Sequence, residues 1–181
     1  MYLSEDDRKV ILGLVRRAVE EAVCRDRLLG EVPPTELFSR RSGVFVTLQR
    51  KQRLRGCIGV TEPRESLGEA LVRCAAGAAR EDPRFDRVLP EEMNDLEIEV
   101  SLLSALVLLR PEEIEIGTHG LLVEQGARRG LLLPQVAVEH HLDRERFLEE
   151  TCCKAGLPST AWQEPGTRIY GFTCEILREN E

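Results

Sequence analysis

The sequence predicts an α+β fold in which a largely antiparallel or mixed β-sheet is packed against helices, and three observations lead there. Three stretches carry apolar residues at helical spacing, while short alternating runs between them carry the period of two that marks a half-buried strand. The order is helix, two strands, helix, several strands, helix, strand, which fits neither a βαβ repeat nor a helical bundle. No internal repeat, low-complexity tract or nucleotide-binding glycine loop interrupts the pattern. One domain over residues 1–181 is expected, with room for a small lobe within it.

Ser4 reads as the cap of the first helix, with Asp6 and Asp7 near its positive end. Val10, Ile11, Leu14, Val15, Ala18, Val19, Ala22 and Val23 carry that helix to about Arg27, and Gly30 with Pro33 and Pro34 ends it. Val44, Val46 and Leu48 alternate with Phe45, Thr47 and Gln49; Leu54, Ile58 and Val60 resume the alternation after a polar bend. This is a β-hairpin pattern whose loop lacks an Asn-Gly or Asp-Gly turn. Leu67, Ala70, Leu71, Cys74, Ala75, Ala78 and Ala79 make the second helix face, over Ser66–Arg80. Residues 81–95, rich in proline and charge, are expected to connect over the surface. Leu96–Leu102 alternates as a strand, and the apolar run to Leu109 has no readable period. Ile114, Ile116, LLVE and RRGLLL suggest further short strands between glycines. Arg144–Ala155 is a third helix closed by Gly156, and Arg168–Leu177 is a last strand.

The longest apolar stretch, Val100–Leu109, is interrupted by two serines and is about half of the ~20 residues a membrane helix needs. The opening residues place acids before the apolar stripe, the wrong order for a signal peptide, so a cytoplasmic protein is expected. Six cysteines at 24, 57, 74, 152, 153 and 174 lie mostly in apolar patterns and read as reduced thiols. Neither the adjacent pair 152–153 nor the histidine pair 140–141 has metal-ligand spacing, so no metal is expected. The net charge of −7 argues against general nucleic-acid binding, but it is uneven. Residues 1–90 hold 17 basic and 14 acidic side chains; Arg40, Arg41, Arg50, Lys51, Arg53 and Arg55 meet no acid in sequence.

The segment most able to carry chemistry is Leu54–Gly59, LRGCIG. As a regular strand it turns Leu54 and Ile58 to the core and puts Arg53, Arg55 and Cys57 on the other face, with Gly56 and Gly59 leaving open backbone beside the thiol. Positive charge favours thiolate, which makes a cysteine nucleophilic. The same guanidinium groups and glycine N–H donors suit a phosphate or carboxylate, and Cys57 can equally be a small buried hydrophobe. A nucleophilic thiol calls for a base. His119 sits between glycines in a turn, and His140 follows Glu139, which can orient it or itself move protons. Cys24, Cys74, Cys152, Cys153 and Cys174 read as structural thiols, and Trp162 and Tyr170 as packing anchors.

Six ordered blocks carry a family resemblance: FVTL at 45–48, LRGCIG at 54–59, EDPRF at 81–85, LEIEVSLLS at 96–104, IGTHGLLVEQGARRGLLLPQVAVE at 116–139 and FLEETCCKAGL at 147–157. Together they resemble AmmeMemoRadiSam system protein A, the prokaryotic form of the AMME-syndrome candidate domain. The resemblance implies an α+β fold with a smaller subdomain and association with radical SAM and Memo-like partner proteins. It carries over signature positions Arg55–Gly59, Asp82–Phe85, Leu133–Gln135 and Glu139 without roles. One departure is Leu142 before Asp143, where the family usually places an aromatic; another is the absence of a proline near 106–109.

From these residues the expected function is a cysteine-dependent modification or group-transfer component acting on a small molecule or protein. Cys57, Glu139, His140 and His119 are its candidate catalytic residues, and Arg55, Gly56, Gly59, Arg84 and Gln135 contact substrate. No cofactor is implied for this chain. The alternatives are a non-catalytic adaptor for the same partners and, more weakly, nucleic-acid binding through residues 40–55.

Overall fold

The computed structural model describes residues 3–179. They form two compact units: one runs from the start of the chain to Leu103 and resumes at Glu175, and the other is Ser104–Cys174. No helix among the described residues is long and apolar enough to cross a membrane.

The first unit opens with α1, Glu5–Arg25. Ser4 caps it: its hydroxyl accepts from Asp7 N–H while the Asp7 carboxylate accepts from Ser4 N–H, so two orphan donors are satisfied at once. A single turn, α2 (Glu36–Ser39), precedes the hairpin of β1 (Val44–Arg50) and β2 (Arg53–Val60). Then come α3 (Leu67–Arg80), capped by Ser66 and Glu69 in the same reciprocal way, a 3₁₀ segment at Pro90–Asp95, and β3 (Leu96–Leu103). The sheet order is β2-β1-β3-β8, with β8 spanning Cys174–Arg178, so β2 is an edge strand. Val44, Val46, Leu48, Ile98 and Val100 face one core with Ile11, Leu14 and Val15 of α1 and Leu71, Ala75 and Ala78 of α3. Each large apolar side chain withdrawn there contributes about 1.5–3 kcal/mol.

The second unit has its own sheet, in the order β4-β7-β5-β6, built from β4 (Val107–Leu108), β5 (Gly120–Gln125), β6 (Arg128–Leu132) and β7 (Arg168–Phe172). All three of its pairings are antiparallel. Short α4 (Pro134–Glu139) and α5 (Arg144–Lys154) supply Ala137, Phe147, Leu148 and Cys152 to a core with Leu121, Val123 and Ile169. Leu142 packs against this core, and Asp143 beside it caps α5. Where the chain enters and leaves, Ser104 N–H donates to the Thr173 carbonyl, and Thr173 N–H donates to the Ser104 hydroxyl, both at 2.9 Å.

Antiparallel sheets against helices match the expected class. Four local expectations are corrected. The stretch Arg168–Leu177 is two strands, broken at Thr173, that join different sheets. Ile114 and Ile116 follow a 3₁₀ turn at Pro111–Glu113 and are not strand. The connector 81–95 is anchored inward by Asp82, Val88 and Glu92, all buried. In β2 the alternation is broken: Gln49 pairs with Leu54 but Leu48 pairs with Gly56, which leaves Arg55 as the extra residue of a β-bulge. Leu54 therefore faces away from the core and is 42% exposed.

Candidate functional site

The bulge decides what surrounds Cys57. An unbroken register counted from the turn would set Thr47 opposite Gly56; the extra residue sets it opposite Cys57. The Thr47 hydroxyl donates to Cys57 Sγ at 3.3 Å, and the thiol is half-buried.

Because β2 is an edge strand, the outward N–H of Cys57 has no neighbouring strand and donates instead to Asp82 Oδ2 at 2.8 Å. Asp82 follows α3 and is buried, and its carboxylate is forked by Arg84, Nε to Oδ1 at 2.9 Å and Nη2 to Oδ2 at 2.7 Å. Arg84 N–H adds a third bond, at 3.1 Å. The Arg84 guanidinium and the backbone N–H donors hold the Asp82 carboxyl well below the usual carboxylate range. Asp82 is thus an ionised anchor already fully engaged, and not a proton acceptor for the thiol.

Arg55 turns elsewhere. Its Nε and Nη2 grip Glu92 at 3.0 and 2.8 Å, and Nη1 and Nη2 donate to the Asp86 and Arg87 carbonyls at 2.8 and 3.1 Å. Arg50 reaches the same Glu92 at 3.0 Å. The Arg55 pair pushes the Glu92 carboxyl down to about 2. The expectation that Arg55 shares the Cys57 face is corrected: the bulged position commits it to stapling β2 onto the 86–92 segment. The basic run 40–55 is likewise not free of acids in space, since Arg40 pairs with Glu36, Arg50 with Glu92 and Asp95, and Arg55 with Glu92.

Gly56 and Gly59 answer to packing. A Cβ on Gly56 would lie 2.0 Å from the Ala78 carbonyl oxygen of α3, and one on Gly59 would lie 2.2 Å from the Phe45 ring. The open backbone expected beside the thiol is therefore filled by α3 at one glycine and by Phe45 at the other.

The remaining candidates belong to the second unit. His119 is in the turn before β5, where its Nδ1 accepts from Glu115 N–H at 3.1 Å. Gln135 and Glu139 lie on α4, and His140 is its exposed C-terminal cap. The structure thus gathers Cys57, Thr47, Asp82 and Arg84 within one unit and places His119, Gln135, Glu139 and His140 in the other. Thr47 escaped the sequence reading because only the bulge brings it to the thiol. Asp82 and Arg84 were visible as a signature block, but nothing in their spacing links them to a strand 25 residues earlier.

All six cysteines are free thiols. Burial pushes the Cys74 thiol up to about 11 and raises that of Cys152, which suits packing roles for both. Among the described residues no group of three His, Cys, Asp or Glu side chains could hold a metal ion.

The class defined by these features is an α+β protein of two antiparallel-sheet units, with a half-buried thiol on an edge strand held by a hydroxyl and a carboxylate–guanidinium pair. The AMMECR1 family model matches residues 12–177, and the chain belongs to that family. It is similar to Protein TK0174 of Thermococcus kodakarensis, 46% identical over 193 residues that cover 99% of this chain and 94% of the relative. Protein MK0488 of Methanopyrus kandleri is 42% identical over 189 residues, covering 99% and 91%. The crystal structure of protein PH0010 from Pyrococcus horikoshii matches with a TM-score of 0.84 at 42% identity, over 92% of this chain and 88% of that one.

Proposed function

We propose that this protein is a cysteine-dependent modification or group-transfer component acting on a small molecule or protein, with radical SAM and Memo-like proteins as its partners. The observation that carries the reading is the hydrogen bond from the Thr47 hydroxyl to Cys57 Sγ, which fixes the orientation of a half-buried sulfur on an edge strand, where a positioned thiol can act as a nucleophile. In the transfer step the sulfur attacks an electrophilic carbon of the donor molecule. The sulfur–carbon bond forms as the bond to the leaving group breaks; the electron pair goes with the leaving group, and the thiol proton passes to water. An acceptor then takes the group from sulfur and regenerates the thiol. Asp82 acts as a positioning residue that holds the Cys57 backbone on the open edge of the sheet.

The test is the rate of alkylation of each cysteine in the folded protein, read by peptide mass spectrometry at pH 7. Cys57 is expected to react faster than exposed Cys24 and Cys153, despite being less accessible. A Cys57 slower than both would sink the nucleophile.

A non-catalytic adaptor is the second reading, and one observation favours it: the bulge turns Leu54 outward on the face of the sheet that carries Cys57. On that reading Leu54→Asp abolishes co-purification with the Memo-like or radical SAM protein, and Cys57→Ser does not.

A further inference from the structure

Two arginines were candidates for an anion beside the thiol, and their geometry separates them. Arg55 is largely buried and its guanidinium is engaged on both edges by Glu92 and two carbonyls. Arg84 keeps 55% of its side chain exposed and commits only Nε and Nη2, both to Asp82. Its Nη1, with two donors, has no hydrogen-bond partner among the described residues. The link to the thiol is short: Asp82 Oδ2 accepts both Arg84 Nη2 and Cys57 N–H, so a single oxygen joins the guanidinium to the Cys57 backbone. Arg84 holds its proton more tightly than an ordinary guanidinium, chiefly through its hydrogen bond to Asp82, with a smaller electrostatic contribution from Cys57. The Phe85 ring lies 5.5 Å from the guanidinium carbon and backs its face, which limits its swing. Glu99, opposite Thr47 on β3, is met by Arg178 at 2.8 Å, so its charge does not stand unpaired on this face.

Resting on the thiol reading above, we propose that the molecule delivered to Cys57 is an anion, whose carboxylate or phosphate oxygen docks on Arg84 Nη1 while its electrophilic carbon meets Cys57 Sγ. A guanidinium edge suits either oxygen group, and the half-exposed position lets a soluble ligand reach it. Arg84 is the specificity-determining residue; Arg55 holds the strand.

Two reagents test this without knowledge of the natural substrate. Iodoacetate and iodoacetamide displace the same iodide by the same attack of sulfur on carbon and differ in charge at the far end. The ratio of their rate constants at Cys57, divided by the mean ratio at Cys24 and Cys153 in the same sample, isolates the preference for an anion. That quotient is expected to be about tenfold, the scale of one charge-assisted hydrogen bond at a partly exposed site. It falls to about one in Arg84→Gln and largely also in Arg84→Lys, whose single ammonium is taken by Asp82 and offers no second edge. A Cys57 that reacts fast with both reagents at a quotient near one overturns the anion while leaving the nucleophile standing. A Cys57 slower than the controls with both reagents, again at a quotient near one, overturns both. A tenfold quotient that survives Arg84→Gln, with the melting temperature unchanged, overturns the role of Arg84.

Discussion

A half-buried sulfur, one hydroxyl and one carboxylate carry most of the argument, and each makes a separable prediction. Thr47→Val keeps a β-branched residue in β1 and removes only the donor to Sγ. It is expected to slow Cys57 alkylation roughly fivefold, the worth of one ordinary hydrogen bond, with the thermal midpoint nearly unchanged. Gly56→Ala does the reverse. The added methyl group runs into the Ala78 carbonyl at 2.0 Å, against backbone that cannot swing aside. It should destabilise the protein by about 2–3 kcal/mol in urea unfolding. Cys57 stands out in the sequence as a candidate because it is a cysteine between glycines in an arginine-rich strand. Its partners do not. Thr47 reaches the sulfur only through a one-residue shift in pairing, and a period of two cannot announce where it will slip.

Elements whose signals are local were readable to within a residue or two. Ser4 with Asp7 and Ser66 with Glu69 are reciprocal caps written within four residues of sequence, and the apolar stripes of α1 and α3 follow directly. The hairpin was readable as strands but not as a turn. Lys51 and Gln52 both adopt left-handed backbone, φ 51° and 61°, where Asn and Gly are the favoured pair. Replacing them by Asn-Gly is expected to raise stability by about 1 kcal/mol, measured as a shift in urea midpoint without a change in slope. The Arg55–Glu92 staple makes a pH prediction. The folded Glu92 carboxyl is held at about 2 against an ordinary 4.5, so its contribution is complete above pH 4.5 and is lost as pH falls toward 2. Asp82 is depressed as well, so its contribution is lost in the same direction. Glu92→Gln should therefore flatten the acid limb of the stability curve between pH 4.5 and 2, as followed by circular dichroism melts; an unchanged limb would show that the staple contributes little.

For the molecule as a whole, the class of fold was legible because counting and ordering amphipathic segments suffices for it. The partition of strands between two sheets was not. Ten residues from Arg168 read as one strand, yet the chain leaves one sheet and enters another at Thr173, where no glycine or proline marks the break. The second unit has its own core, and its ends are tied by Ser104 and Thr173. A fragment of residues 104–174 is expected to give a dispersed amide NMR spectrum, and a collapsed one would refute independent folding.

The same doorway has a meaning for biosynthesis. Strand β8 is the last among the described residues, yet it lies beside β3 and ties to α1: Glu175 within it pairs with Arg8, and Glu179 just after it pairs with Arg16. Once the chain has emerged from the ribosome through Cys174, the second unit is complete, while the first, begun earlier, still lacks its closing strand. In this chain the unit that starts first finishes last. Until β8 emerges, the unpaired edge of β3 is the surface a nascent chain must keep from other strands.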